Sequence, residues 1–125
     1  MRLVLRVLVA VVGVLAILLA AQFWLNPTAP AARLGLDPRG ALGLATIRAD
    51  MAGFFATAGV LSLIAAVRAE ARLMTAPLLL VGIALAGRVV TLVDQGFTPA
   101  QAPPMAVEAA LVVLFALARR GMKGR

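Results

Sequence analysis

The chain has 125 residues, of which 63% are hydrophobic and 14% are charged, and its mean hydropathy is +1.04. Soluble domains are only about 45–50% apolar, so this composition indicates a protein whose surroundings are mainly lipid. The formal net charge is +7, but the basic residues lie at the ends of apolar runs without interleaved aromatic residues, which argues against a nucleic-acid-binding surface.

Three residue types that carry much of enzyme and metal chemistry are missing, because the sequence has no cysteine, no histidine and no tyrosine. Disulfides, thiolate nucleophiles, histidine bases, histidine haem ligands and Cys/His zinc sites are therefore excluded. Ser62 is the only serine, and without a histidine it cannot form a hydrolase triad. We predict no catalytic residue, no metal site and no cofactor, and we favour a non-enzymatic role.

Four apolar runs are each long enough to cross the ~30 Å hydrocarbon core as a helix. We predict transmembrane helices at about 3–25, 43–67, 75–93 and 104–120 of a single membrane domain that covers residues 1–125. The first run also fits a secretory signal peptide, because it follows a basic start and contains the small residues Ala20 and Ala21. Its length and the interfacial position of Trp24 favour a retained helix.

Short polar segments separate these runs. The loop at 26–42 contains three prolines and two glycines, and residues 29–34 within it fit a short helix at the membrane interface. A charged turn follows at 68–74, a proline-rich loop at 94–103, and a basic tail at 119–125. Short connections of this kind predict that consecutive helices pack as antiparallel neighbours.

The distribution of Lys and Arg predicts the orientation, because cytoplasmic loops carry an excess of these residues. With the N-terminus in the cytoplasm, the opposite loops carry only Arg33 and Arg39. We therefore predict an all-α, integral membrane four-helix bundle with both termini cytoplasmic, in a bacterial inner membrane. The cytoplasmic segments then carry eight basic residues: Arg2, Arg6, Arg68, Arg72, Arg119, Arg120, Lys123 and Arg125.

Charged residues inside or beside the spans fall toward the predicted non-cytoplasmic side. An arginine in a span costs up to about 2.5–3.5 kcal/mol on insertion scales, so each requires a carboxylate or water as a partner. We predict that the two arginines turn inward toward the three carboxylates, in a pairing that the sequence does not fix. The five residues are Arg48, Asp50, Arg88, Asp94 and Glu108.

Helical spacing suggests which faces pack. At 100° per residue, Arg48, Ala52 and Gly59 share one face of the second helix, and small residues there permit close approach of a neighbour. The second helix is therefore expected to be central. Two further pairs match small-xxx-small packing within the monomer, namely Gly53 with Thr57 and Gly82 with Ala86.

The charged cluster has two interpretations. It either locks the helices in register, or it borders a pocket for an amphipathic small molecule such as a lipid or quinone. We favour the pocket, between the second, third and fourth helices, with Arg48 and Arg88 holding the head group. An accessory or assembly subunit of a larger membrane complex is the alternative, and a small transporter is the third. Membrane lipids, this ligand, and a membrane protein or a second copy of the chain are the expected partners.

The sequence also resembles a known family. Asn26-Pro27, 32–35, 47–53 and 87–90 are similar to segments of a bacterial four-helix membrane family catalogued as domain of unknown function four-three-four-five. Asp94-Gln95-Gly96 and the proline-rich lead to Glu108 also fit it. The resemblance implies a four-span membrane protein and no established reaction. A more distant similarity to DoxX-like and EXPERA-type bundles, some of which bind or isomerise sterols, implies a lipid-like ligand, although this chain lacks histidine.

Overall fold

The computed structural model describes residues 1–122, and every regular element in that range is helical. The prediction of an all-α fold is confirmed for these residues. Lys123 and Arg125, which belong to the predicted basic tail, lie outside the described residues.

Five helical elements follow one another along the chain, and four of them are long and apolar enough to cross a membrane. α3 is interrupted by one π-helical turn, Ile47–Met51, between α-helical segments Gly40–Thr46 and Ala52–Arg68. α4 and α5 each begin with a short 3-10 turn. The elements are α1 (Arg2–Leu25), α2 (Thr28–Arg33), α3 (Gly40–Arg68), α4 (Ala71–Gln95) and α5 (Pro99–Gly121).

The long helices lie in two antiparallel pairs, α1 with α3 and α4 with α5. Early residues of α1 contact late residues of α3, since Arg6 donates hydrogen bonds to the carbonyl oxygens of Ala66 and Val67 at 2.7 and 3.0 Å. Arg119 of α5 likewise donates to Thr75 Oγ1 of α4 at 2.7 Å. The N-terminus, the α3–α4 turn and the end of α5 therefore lie at one end of the bundle, which we call the termini end. α2 and the α4–α5 connection lie at the opposite end, which we call the loop end.

All four long helices meet in one apolar core at the termini end. Val9 of α1, Ala65 of α3, Met74 of α4 and Phe115 of α5 are each at most 1% exposed. Arg6 adds a polar contact there, because its hydrogen bonds satisfy carbonyls in the last turn of α3 that have no partner within the helix. The termini end is thus the closed end of the bundle.

The backbones of α1 and α3 touch at mid-length. A Cβ atom added at Gly59 would lie 2.7 Å from the carbonyl oxygen of Gly13 and 3.0 Å from the amide nitrogen of Ile17. One added at Gly13 would lie 2.9 Å from the carbonyl oxygen of Gly59. Only glycine fits at this crossing. The expected close approach on the second long helix occurs here, at Gly59, and it joins α3 to α1.

The two small-residue pairs at Gly53 and Gly82 do not serve helix packing as expected. When each glycine's chain neighbours and the nearby backbone of its own helix are left out, a Cβ atom added at either position has no atom of the described residues within 4 Å. Both positions lie away from helix crossings, so spacing alone did not distinguish them from Gly59.

A second, smaller apolar cluster fixes α2 on the α1–α3 pair at the loop end. Phe23 and Ala31 are fully buried there beside Ile47 and Ala52. Phe23 also stacks on Phe55, with ring centroids 5.7 Å apart. This cluster holds α2 against the α1–α3 pair, and α2 fills the segment proposed for an interfacial helix. Neither α4 nor α5 contributes a residue to the cluster.

We expect Gly59→Ala to lower the free energy of unfolding by about 1–3 kcal/mol, because the added methyl group would separate two touching backbones. Gly53→Ala is the matched control, and should leave stability unchanged or raise it by up to about 1 kcal/mol through helix propensity. Thermal unfolding of the detergent-solubilised protein, followed by circular dichroism, measures both. Equal effects of the two substitutions would contradict the proposed crossing.

Candidate functional site

A cleft opens between the two helix pairs in the loop half of the bundle. Its volume is about 430 Å³, and residues from all five helical elements or their flanks line it. Val81 and Phe115, which also belong to the termini-end core, form its floor. Arg33, Leu34 and Pro103 lie at its mouth, toward the loop end. The cleft therefore begins where the shared core of the four helices stops.

The walls of the cleft are almost entirely apolar. Phe54 and Phe55 stand on the α3 side in an edge-to-face arrangement, with ring centroids 5.1 Å apart. Ala16 of α1, Ala84 of α4 and Val107 of α5 complete the surface around them. Such a surface suits hydrocarbon and not a hydrated ion.

One ion pair lies on the wall between α4 and α5. Arg88 Nε donates to Glu108 Oε1 at 2.6 Å, and the two side chains are 33% and 16% exposed. The short distance indicates a charge-assisted hydrogen bond. The remaining N–H groups of Arg88 donate to no residue within 1–122. Of the five charged residues singled out by sequence, these two are brought together.

Arg48 lies elsewhere and has a different partner. Its Nε donates to the carbonyl oxygen of Trp24 at 3.1 Å, and the indole Nε1 of Trp24 donates to the carbonyl oxygen of Arg48 at 3.1 Å. Arg48 is exposed, does not line the cleft, and forms no ion pair with residues 1–122. Its expected inward turn toward a carboxylate is therefore not seen, and it joins α3 to the end of α1.

Asp50 and Asp94 also stand apart from the cleft. Both are exposed, and neither pairs with a basic side chain of the described residues. Asp94 accepts a hydrogen bond from the amide of its neighbour Gln95 at 2.9 Å. The expected network of five charges is thus a single pair, Arg88 with Glu108.

Arg48 contacts the same helix as Ala52 and Gly59, because all three lie against α1. What failed was the expected carboxylate partner. α1 ends at Leu25, so the carbonyl oxygen of Trp24 in its last turn has no partner within the helix and accepts from Arg48 instead. At this end of α1 the Arg48 side chain is exposed, although Ala52 and Gly59 are buried. No sequence pattern indicated that a backbone carbonyl would replace a carboxylate at this position.

Sequence reasoning missed Arg33. It was counted only as a loop charge, yet it lies at the end of α2 and lines the mouth of the cleft. Its neighbour Leu34 lines the mouth as well. The signal that pointed toward it was the short helix expected at 29–34, because a helix lying across the loop end places its last turn over the bundle interior.

Comparisons of the chain with protein-family models, with curated proteins and with solved structures find no match. The resemblance to the four-span family of unknown function and the more distant one to DoxX-like and EXPERA-type bundles therefore stay predictions. The functional argument rests on the cleft and its charges.

Removing the Glu108 carboxylate should destabilise the protein, because it leaves the half-buried guanidinium of Arg88 without its counter-charge. We expect Glu108→Ala to lower the free energy of unfolding by about 1–3 kcal/mol. Replacing both partners with leucine should recover most of that loss, since two apolar groups leave no unpaired charge.

Asp94→Ala is the control for this experiment, with an expected change within about 0.5 kcal/mol because the side chain is exposed and unpaired. Denaturation in one detergent of these variants, together with Arg88→Leu and Glu108→Leu alone, gives the coupling between positions 88 and 108. The ion pair would not stabilise the fold if Asp94→Ala lowered the free energy of unfolding as much as Glu108→Ala. The same conclusion would follow if positions 88 and 108 showed no coupling.

Proposed function

We propose that this chain is a multi-pass protein of the bacterial inner membrane, with both termini in the cytoplasm, and that it binds a lipid-like amphipathic small molecule in the cleft. The cleft would then lie in the non-cytoplasmic half of the membrane. The single observation that carries the binding proposal is an apolar cavity with an ion pair on its wall and an arginine at its mouth.

Large apolar side chains on the outer surface support the membrane location. Leu15, Ile83 and Val113 are 59%, 69% and 58% exposed on three different helices. Soluble monomers rarely expose contiguous apolar surface on this scale. Lipid tails solvate such side chains, and the four helices are long enough to carry them across a bilayer.

The two ends of the bundle support the orientation. Arg68 and Arg72 lie on the turn at the termini end with highly exposed side chains, and Arg119 and Arg120 lie at the same end. The loop end carries only Arg33 and Arg39 as basic loop residues. This asymmetry is typical of a cytoplasmic termini end.

The composition of the cleft supports an amphipathic ligand over a purely structural ion pair. Small-molecule sites are concave, mainly apolar and furnished with a few polar groups that fix orientation. Here the pair borders open volume, and one-third of the Arg88 side chain stays exposed with N–H groups that no residue within 1–122 accepts. A polar head group near Arg88 would complete those hydrogen bonds, with its hydrocarbon against Phe54 and Val107.

Single-cysteine labelling tests the topology, and the native chain has no cysteine that would give background. In intact cells a membrane-impermeant maleimide should label Arg39→Cys and should leave Arg72→Cys unlabelled until the membrane is permeabilised. The reverse pattern would place the termini outside the cytoplasm. Labelling of both positions in intact cells would contradict a membrane-spanning bundle.

A bulky side chain in the cleft should displace the ligand. We expect native mass spectrometry of the detergent-purified protein to show a retained adduct of lipid mass that Ala84→Trp removes, because Ala84 lines the cleft. Ala86→Trp is the matched control: it lies on the same helix, is exposed, and does not line the cleft, so its adduct should persist.

The same experiment discriminates the alternatives. An adduct of equal abundance in Ala84→Trp and in the unaltered chain would refute binding in the cleft, and would favour an accessory subunit whose ion pair serves packing. Thermal unfolding of each variant shows whether an adduct was lost with the fold or from a folded protein. Loss of the adduct from a folded Ala84→Trp protein supports the proposal.

A further inference from the structure

We infer that the ligand is an anion with a single hydrocarbon chain, and that Arg33 at the mouth of the cleft holds its charged head group. This inference rests on the proposed function and specifies the ligand of the same site. It assigns to Arg33 the role that sequence reasoning had assigned to Arg48.

The charges that line the cleft do not balance. Only Arg33, Arg88 and Glu108 among the lining residues are charged, and the ion pair of Arg88 with Glu108 cancels two of the three charges. Arg33 forms no ion pair and no side-chain hydrogen bond within residues 1–122, which leaves the mouth with one positive charge. A ligand with one negative charge complements it.

Arg33 is held over the mouth by the packing of its helix. Pro30 and Ala31 are buried, and Ala31 is fully enclosed in the loop-end cluster with Phe23. The side of α2 that faces the α1–α3 pair is therefore fixed, and Arg33 follows two residues later with an exposed side chain that reaches the cleft. The Arg33 side chain is exposed, so no buried charge has to be compensated before the ligand binds.

The ion pair lies below Arg33 at a depth that suits a second polar group of the ligand. Glu108 follows Pro104, the lining residue next to Pro103 at the mouth, by about one helical turn, which places it about 6 Å deeper along α5 at 1.5 Å per residue. The free N–H groups of Arg88 at that level can donate to the ester oxygen of a lysophospholipid, whereas a fatty acid has only the carboxylate that Arg33 would hold. Below this level the lining is apolar down to Phe115.

The volume of the cleft matches one hydrocarbon chain. A methylene group occupies roughly the volume of a water molecule, about 30 Å³. The cleft volume of about 430 Å³ therefore corresponds to roughly fourteen such groups, since 430/30 is about 14. A fatty acid and a lysophospholipid share this chemistry of one chain and an anionic head, whereas a diacyl lipid would have to leave its second chain outside the cleft.

The test uses the full chain in nanodiscs of neutral diacyl phosphatidylcholine, with empty nanodiscs as the background. Equilibrium binding is measured for radiolabelled palmitate, lysophosphatidate, hexadecanol, hexadecyltrimethylammonium and dipalmitoyl phosphatidylglycerol. Palmitate or lysophosphatidate should bind at least about tenfold more tightly than hexadecanol, because a charge-assisted hydrogen bond contributes about that factor. Whichever of the two binds more tightly identifies the source of the anionic head group.

Two variants assign the effect to Arg33. Arg33→Gln should weaken binding of the preferred anion by about tenfold and leave hexadecanol binding unchanged. Arg39→Gln removes the same charge from the same loop but does not line the cleft, so it should change neither. Because Arg33 is exposed and makes no side-chain contact that stabilises the described fold, Arg33→Gln should fold like the unaltered chain, which circular dichroism checks.

Three outcomes would overturn the inference while the proposed function stands. The first is binding of hexadecanol or of the cationic amphiphile as tightly as the anions, and the second is binding of the diacyl lipid as tightly as palmitate. The third is an equal loss of affinity in Arg39→Gln and Arg33→Gln. Binding of none of the five compounds above the empty-nanodisc background would overturn the inference together with the proposed function.

Discussion

The contact between the backbones of α1 and α3 at Gly13 and Gly59 sets the geometry on which the cleft depends. It joins these two helices into one unit, whose side chains face α4 and α5 across the cleft in the loop half. The termini end is closed differently, by Met74 and Phe115 in a core that all four helices share. The apolar cluster at the loop end contains residues of α1, α2 and α3 and none of α4 or α5, so the two pairs share no core there. The cleft occupies the gap between the pairs at that end, and α2 lies at its mouth.

Electrostatics then decides what the gap can hold. An arginine within an apolar span requires a partner, and the structure meets this requirement in two ways. Arg88 uses a carboxylate on the adjacent helix, whereas Arg48 uses the backbone carbonyl of Trp24. Only the first arrangement lies on the cleft wall, and because it is neutral it adds hydrogen-bonding capacity without net charge. Net charge at the site comes from Arg33, which is exposed and forms no ion pair within residues 1–122.

The long helices were predictable from sequence because hydrophobic runs of 18 residues or more leave few alternatives to a helix. The depth of Arg88 and Glu108 followed from aligning the spans, whereas the sequence did not fix which carboxylate would pair with Arg88. Arg48 was assigned the wrong partner because the carbonyl oxygen of Trp24 lies in the last turn of α1, where it has no partner within the helix and accepts from Arg48. Arg33 was missed for another reason: its importance depends on where Pro30 and Ala31 anchor α2, which is a tertiary contact. Local patterns therefore predicted the elements, and the site depended on how those elements cross.

In a protein with four helices long and apolar enough to cross a membrane, an apolar cleft is either a binding site or a packing gap that any acyl chain would fill. Hydrocarbon gains little by moving from lipid into such a cleft, because lipid tails solvate it equally well. Selectivity must therefore come from polar groups that the bilayer interior does not offer. The ion pair on the wall, with N–H groups that no described residue accepts, and the unpaired arginine at the mouth are such groups. They lie at successive depths along one path from the loop end to an apolar floor, which is the arrangement of polarity along an amphiphile. A gap left by imperfect packing has no reason to reproduce that order.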